Sequence, residues 1–142
     1  MKQESRDNNN FERDKVKVYG PMRFLKSIKY SIDGLVHAYR YEQSLWIHGC
    51  AVILAIILGI VFKIKLSEWA IIFIALGIIL ALELINTAIE AAVDLTTTEI
   101  HPLAKVAKDC GSAASFVMSI VSIVISLFVF GPYFLDVFAK LF

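Results

Sequence analysis

The sequence predicts an all-α membrane protein, with an N-terminal amphipathic interfacial helix followed by three transmembrane helices. Three observations lead there. The 142 residues are 58% hydrophobic and the mean hydropathy is +0.68, above the roughly 45–50% apolar usage of soluble chains. Candidate spans lie at about residues 46–64, 69–92 and 112–135, the second reaching the roughly 20 residues that cross about 30 Å of hydrocarbon only by including the acidic stretch from Glu83. Ahead of them, apolar residues recur at helical spacing among basic ones.

The first residues, MKQESRDNNN, are polar, and no apolar segment follows within them as a signal peptide requires. Residues 1–20 are expected to be a disordered cytoplasmic tail, and residues 21–142 a single domain. From Pro21, Phe24, Ile28, Ile32, Leu35, Val36 and Tyr39 recur every three or four positions, with Arg23, Lys26, Lys29, Asp33, His37 and Arg40 mostly elsewhere on the wheel. Such a basic amphipathic helix lies in the interface plane and attracts anionic headgroups. The short segment Lys65 to Glu68 joins the first two spans as an antiparallel hairpin. Pro102 and Gly111 punctuate the next loop and the start of the third span, and Gly131 and Pro132 mark its end.

The unusual stretch is ELINTAIEAAVD, Glu83 to Asp94. Acidic side chains at membrane depth cost several kcal/mol unless they are paired, solvated or put to use. On a helix, Glu83, Glu90 and Asp94 fall within about 40° of one another, with Thr87 beside them and Asn86 on the flank. At roughly 1.5 Å per residue, Glu83 lies about 21 Å from Trp69, near the far hydrocarbon boundary. Glu90 and Asp94 lie beyond it.

Orientation follows from the basic residues. Nine of the fourteen Lys and Arg precede Trp46, which places the N-terminus in the cytoplasm. The acidic end of the second span then shares the cytoplasmic side with ATP. A membrane alcohol carries its hydroxyl near Glu83, while a soluble phosphate donor arrives from the Asp94 side. A net charge of +1 argues against nucleic acid as a bulk electrostatic partner. Cys50 and Cys110 have no metal-ligand spacing and read as packing residues.

The chemistry this face suggests is metal-assisted phosphoryl transfer. Mg²⁺ takes one or two carboxylates plus phosphate oxygens and water; Glu90 suits that role, with Glu42 a second candidate. Glu83, nearer the bilayer, suits the base that accepts the proton of an attacking hydroxyl. Lys108 can supply a phosphate contact that Asp109 holds in place. The competing reading is a small ion-coupled transporter with Glu83 and Glu90 as ion or proton sites. A non-catalytic assembly subunit is a third reading.

ALELINTAIEAAVD, followed by HPLAKVAKDCGSAA, resembles the signature of the prokaryotic diacylglycerol kinase family, which includes undecaprenol kinase. The similarity runs from about Arg23 to the third span, and the chain has no GxxxxGK[ST] phosphate loop. The resemblance implies an ATP- and Mg²⁺-dependent lipid kinase of a bacterial inner membrane, with the N-terminus cytoplasmic. It implies Glu83 as catalytic base and Glu42 and Glu90 as metal-binding carboxylates. Arg23, Tyr30, Glu99, His101, Lys108 and Asp109 match positions near the nucleotide; Asn86, Asp94 and Ser112 match further active-site positions, Ser112 toward the lipid substrate. It also implies a homotrimer whose neighbouring subunits complete each site, which would shield these charges from lipid.

The chain departs from the proteobacterial branch at Trp46, where that branch has an arginine. Gln43, His48 and HPLAK are closer to the undecaprenol branch, and CGSAAS to the diacylglycerol branch; undecaprenol is favoured, with diacylglycerol the alternative. His48 reads as a satisfied interface histidine, and His101, before Pro102, as a residue that fixes the loop or joins the nucleotide site. Finally, Lys108, Ser112, Ser115, Ser119, Ser122 and Ser126 fall within about 40° of one line on the third span. Small-residue packing with interhelical hydrogen bonds is expected there.

Overall fold

The computed structural model describes residues 21–96 and 101–142. The described chain is all-helical: α1 Pro21–Tyr41, α2 Gln43–Phe62, α3 Leu66–Thr96 and α4 Pro102–Leu141. The last three are long and apolar enough to cross a membrane. The described residues divide into two units, one ending at His37 and one beginning at Ala38. In the first, the described part of α1 is exposed along its length, Phe24, Ile28 and Ile32 included. The expected disorder of residues 1–20 falls outside the described residues.

The second unit is a three-helix arrangement whose apolar core sits at the α2–α3 turn. Ala55, Ile64, Ile72, Leu76, Val129 and Phe130 form it, with Phe62, Trp69 and Tyr133 packed against them. The turn is tight because Lys63 takes a left-handed conformation, φ 52°, and its N–H reaches back to the carbonyls of Gly59 and Ile60. Glu68 then receives the Lys65 backbone N–H at 2.7 Å, satisfying a donor that the first turn of α3 would otherwise leave open. Gly59 is buried against Trp69, whose ring would lie 2.5 Å from a Cβ at that position. Gly59→Ala is therefore expected to displace the indole and destabilise the hairpin by about 1–3 kcal/mol, read as a lower thermal midpoint in detergent.

The helix that carries the third span extends beyond the expected span at both ends. Gly111 lies inside α4, which begins at Pro102 with His101 as N-cap accepting the Leu103 N–H on Nδ1 at 3.2 Å. Proline suits the first helical position, where its missing N–H has no partner to lose. Gly131 and Pro132 do not end the helix, which continues to Leu141. The turns beyond the proline are tied back to the bundle. Tyr133 donates to Glu68 at 2.7 Å, and Phe134 packs edge-on against Phe62 with centroids 4.8 Å apart. Those contacts hold the chain helical across a residue that cannot donate to the ladder.

Cys50 and Cys110 are exposed and unbonded rather than packed, and Cys50 borders a pocket with Tyr39, Trp46 and Leu80. Large apolar side chains including Ile53, Leu54, Phe116 and Phe128 are also exposed, as expected for helices that face lipid or another chain.

Candidate active site

Glu83 stands on the fifth turn of α3 and is 6% exposed. Both carboxylate oxygens receive a donor from α2. Ser44 Oγ donates to Oε2 at 3.0 Å, and His48 Nε2 lies 3.1 Å from Oε1. An ionised carboxylate only accepts, so the imidazole hydrogen of this pair sits on Nε2. Ser44 and His48 are four residues apart and share one face of α2, which is why one side chain reaches each oxygen. His48 is thus satisfied, as expected, but its partner is the candidate base rather than an interface group. Ser44 was not foreseen; only its i,i+4 spacing to His48 hinted at a polar face on α2.

One turn further along α3, Asn86 is 8% exposed. Its Nδ2 donates to Glu90 Oε1 at 2.9 Å. Its Oδ1 is buried without a hydrogen-bond partner and lies against Gly111 of α4, where a Cβ would approach it to 2.5 Å. Gly111 is therefore a point of close helix approach. Beyond it, Lys108 Nζ reaches Asp94 Oδ1 at 2.5 Å, both at least partly exposed. The antiparallel run of α3 and α4 thus sets Asn86 beside Gly111 and Asp94 beside Lys108.

Asp109 does not hold Lys108 as expected. It pairs with Lys105 one turn earlier, because consecutive helical residues point about 100° apart and do not share a partner readily. Glu42 occupies the N-cap position of α2, yet its side chain makes no capping hydrogen bond, so its carboxylate is not committed to the helix end. Ser112 is exposed on α4. Arg23 and Tyr30 are exposed on α1 in the N-terminal unit, and Glu99 lies outside the described residues. Among the described residues, no three His, Cys, Asp or Glu side chains gather to hold a metal ion. A magnesium ion bridging phosphates does not need three, since one or two carboxylates suffice. Glu90, half-exposed with an amide fixing one oxygen, and Glu42, free of the helix end, are each a carboxylate of the kind such an ion takes.

Trp46 also has an identifiable task. Its indole N–H donates to the Tyr39 carbonyl at 2.8 Å and its ring meets Tyr39 edge-on, closing the junction between the last turn of α1 and α2.

A cavity of about 560 Å³ opens beside the site, with Ala55, Leu58, Leu76 and Ile79 on one side and Ile123 and Phe130 on the other. His48 lines it, as do Ser119, Ser122 and Ser126. The serines do not form the expected interhelical hydrogen bonds. Ser119 donates to the Ser115 carbonyl within α4 at 2.9 Å, while the buried hydroxyls of Ser115 and Ser122 have no partner. The small side chains of Ser119, Ser122 and Ser126 leave room for the cavity, while Ser115 is buried outside it.

Comparison with known proteins bears on what this arrangement does. The family model for prokaryotic diacylglycerol kinase matches residues 29–130. The chain belongs to the prokaryotic diacylglycerol kinase family. The match includes Glu42, the whole acidic face of α3 and the first three-quarters of α4, and begins after Arg23. An undecaprenol kinase of Bacillus subtilis is 40% identical over 110 residues, 78% of this chain and 89% of the relative. A diacylglycerol kinase of Helicobacter pylori is 34% identical over 122 residues, 86% and 92% of the two chains. A diacylglycerol kinase of Escherichia coli is 32% identical over 105 residues, 74% and 86%. This member of the prokaryotic diacylglycerol kinase family is a membrane lipid kinase, and the transporter reading is left without support.

Proposed function

We propose that the protein transfers the γ-phosphate of ATP, with Mg²⁺, to the hydroxyl of undecaprenol at the cytoplasmic face of a bacterial inner membrane. The observation that carries the mechanism is Glu83: a carboxylate in an apolar helix, shielded from solvent and held at both oxygens. In this reading Glu83 takes the proton of the lipid hydroxyl as its oxygen bonds to the γ-phosphorus. The bond from that phosphorus to the β,γ-bridging oxygen breaks, and ADP leaves. Glu90 and Glu42 would hold the magnesium ion, which when bound offsets the charge of the phosphates. Asn86 orients Glu90 through its amide. Lys108, which pairs with Asp94, is read as facing the incoming nucleotide, and Arg23, Tyr30, Glu99, His101, Asp109 and Ser112 are assigned to nucleotide and lipid by family position alone.

Undecaprenol is favoured over diacylglycerol because the undecaprenol kinase relative is 40% identical, against 34% and 32% for two diacylglycerol kinases. Gln43 and His48 agree with it. The N-terminus is read as cytoplasmic from the excess of Lys and Arg before Trp46. Residues 21–142 are read as one functional domain, α1 as its interfacial helix, and the assembly as a homotrimer. The exposed apolar faces of α2 and α4 supply surface for such an assembly.

Purified protein in mixed micelles, given γ-labelled ATP and equal mole fractions of the two lipids, tests the substrate. The expected result is label predominantly in undecaprenyl phosphate. Label predominantly in phosphatidic acid would reverse the assignment while leaving the kinase reading intact.

A further inference from the structure

The Glu83 reading leaves open what aims the carboxylate. A terminal sp³–sp² torsion such as χ3 of glutamate is broad, so a buried base on an apolar helix turns through many orientations unless it is held. Here two donors from one face of α2 hold it, Ser44 on Oε2 and His48 on Oε1. Each oxygen keeps a further lone pair with which to accept a proton. The two donors are not equivalent. Ser44 follows Glu42 by two residues at the start of α2, whereas His48 also lines the 560 Å³ cavity. His48 is therefore the side chain at which the apolar cavity meets the carboxylate. Its own side chain is 15% exposed and that of Glu83 is 9% exposed, so water competes little for the bond.

We infer that His48 is a positioning residue for phosphoryl transfer: its Nε2–H fixes Glu83 Oε1, aiming the carboxylate at an acceptor hydroxyl presented at the polar end of the cavity. This rests on Glu83 as base. His48 touches neither nucleotide nor phosphate in this account, so it governs turnover rather than ATP binding. Its essential property is a hydrogen-bond donor at the Nε2 position. Glutamine carries an amide nitrogen at about that reach, while the amide of asparagine stops nearer the position of Nδ1.

The test compares His48→Leu, His48→Asn and His48→Gln with wild type and Glu83→Gln, measuring kcat and the KM for ATP, with thermal midpoint and oligomer size as folding controls. His48→Leu and His48→Asn are expected to lower kcat about 10–100-fold, the scale of a misplaced reacting group, with KM for ATP unchanged. His48→Gln is expected to restore kcat to within about threefold of wild type. If the leucine variant fails to fold, the polar asparagine variant gives the same reading. His48→Asn turning over at the wild-type rate overturns the inference, as does a glutamine variant as slow as a well-folded asparagine variant. Should Glu83→Gln itself stay active, the base assignment fails and His48 loses its role with it. An inactive Glu83→Gln beside fully active His48 variants sinks the His48 inference alone.

Discussion

Glu83→Gln is expected to lower phosphate transfer about 10²–10⁴-fold, the range supplied by a positioned general base, while the protein keeps its fold. The amide is nearly isosteric with the carboxylate but does not accept the lipid proton at a useful rate. Its oxygen still receives one of the two α2 donors, and a neutral histidine can present its other tautomer to the new N–H. Packing around the 6%-exposed side chain is thus preserved, and the thermal midpoint should stay near wild type. Transfer rates at saturating ATP and lipid check the effect. A variant that is inactive because it has unfolded would show itself in the midpoint, which separates the two causes.

Gly111→Ala is expected to be the most damaging small substitution on α4. A Cβ there would stand 2.5 Å from Asn86 Oδ1 and 3.5 Å from Ile89 Cδ1. Gly111 is buried and Asn86 is 8% exposed, so the side chain has little room to retreat. Overpacking of this kind destabilises by about 1–3 kcal/mol. Rotation of Asn86 would also break its 2.9 Å bond to Glu90, so activity should fall about 10–100-fold as that carboxylate loses its orientation. A double-mutant cycle separates the effects. Adding Asn86→Ala removes the clash and should restore stability, with a coupling of about 0.5–3 kcal/mol, yet activity should remain low because Glu90 still lacks its amide. Stability losses that simply add would show that the two side chains do not meet.

The three spans and the acidic face of α3 were legible because both are periodic and local. Hydropathy marks the spans, and Glu83, Thr87, Glu90 and Asp94 share a face on any regular helix. What the sequence hid depends on which helices meet. Ser44 and His48 reach Glu83 across 39 and 35 residues of chain, and no repeat links those positions. Lys108 next to Asp109 suggested one charged pair, whereas the α3–α4 approach gives Lys108 to Asp94 and Asp109 pairs with Lys105 within α4. Gly111 and Pro132 read as punctuation from local propensity. In the fold, Gly111 admits Asn86, and the chain crosses Pro132 because Tyr133 and Phe134 are anchored on Glu68 and Phe62. Tertiary contacts overrode propensity at both positions.

The most direct measurement is the fate of the γ-phosphate. Purified protein in bilayers containing undecaprenol is supplied with γ-labelled ATP and Mg²⁺, and the solvent-extractable lipid is counted against ADP formed. The expected result is label on undecaprenyl phosphate in equimolar amount with ADP, lost in Glu83→Gln. Label released as inorganic phosphate, or lipid labelled equally fast by Glu83→Gln, would contradict a transfer in which Glu83 takes the proton of a membrane alcohol.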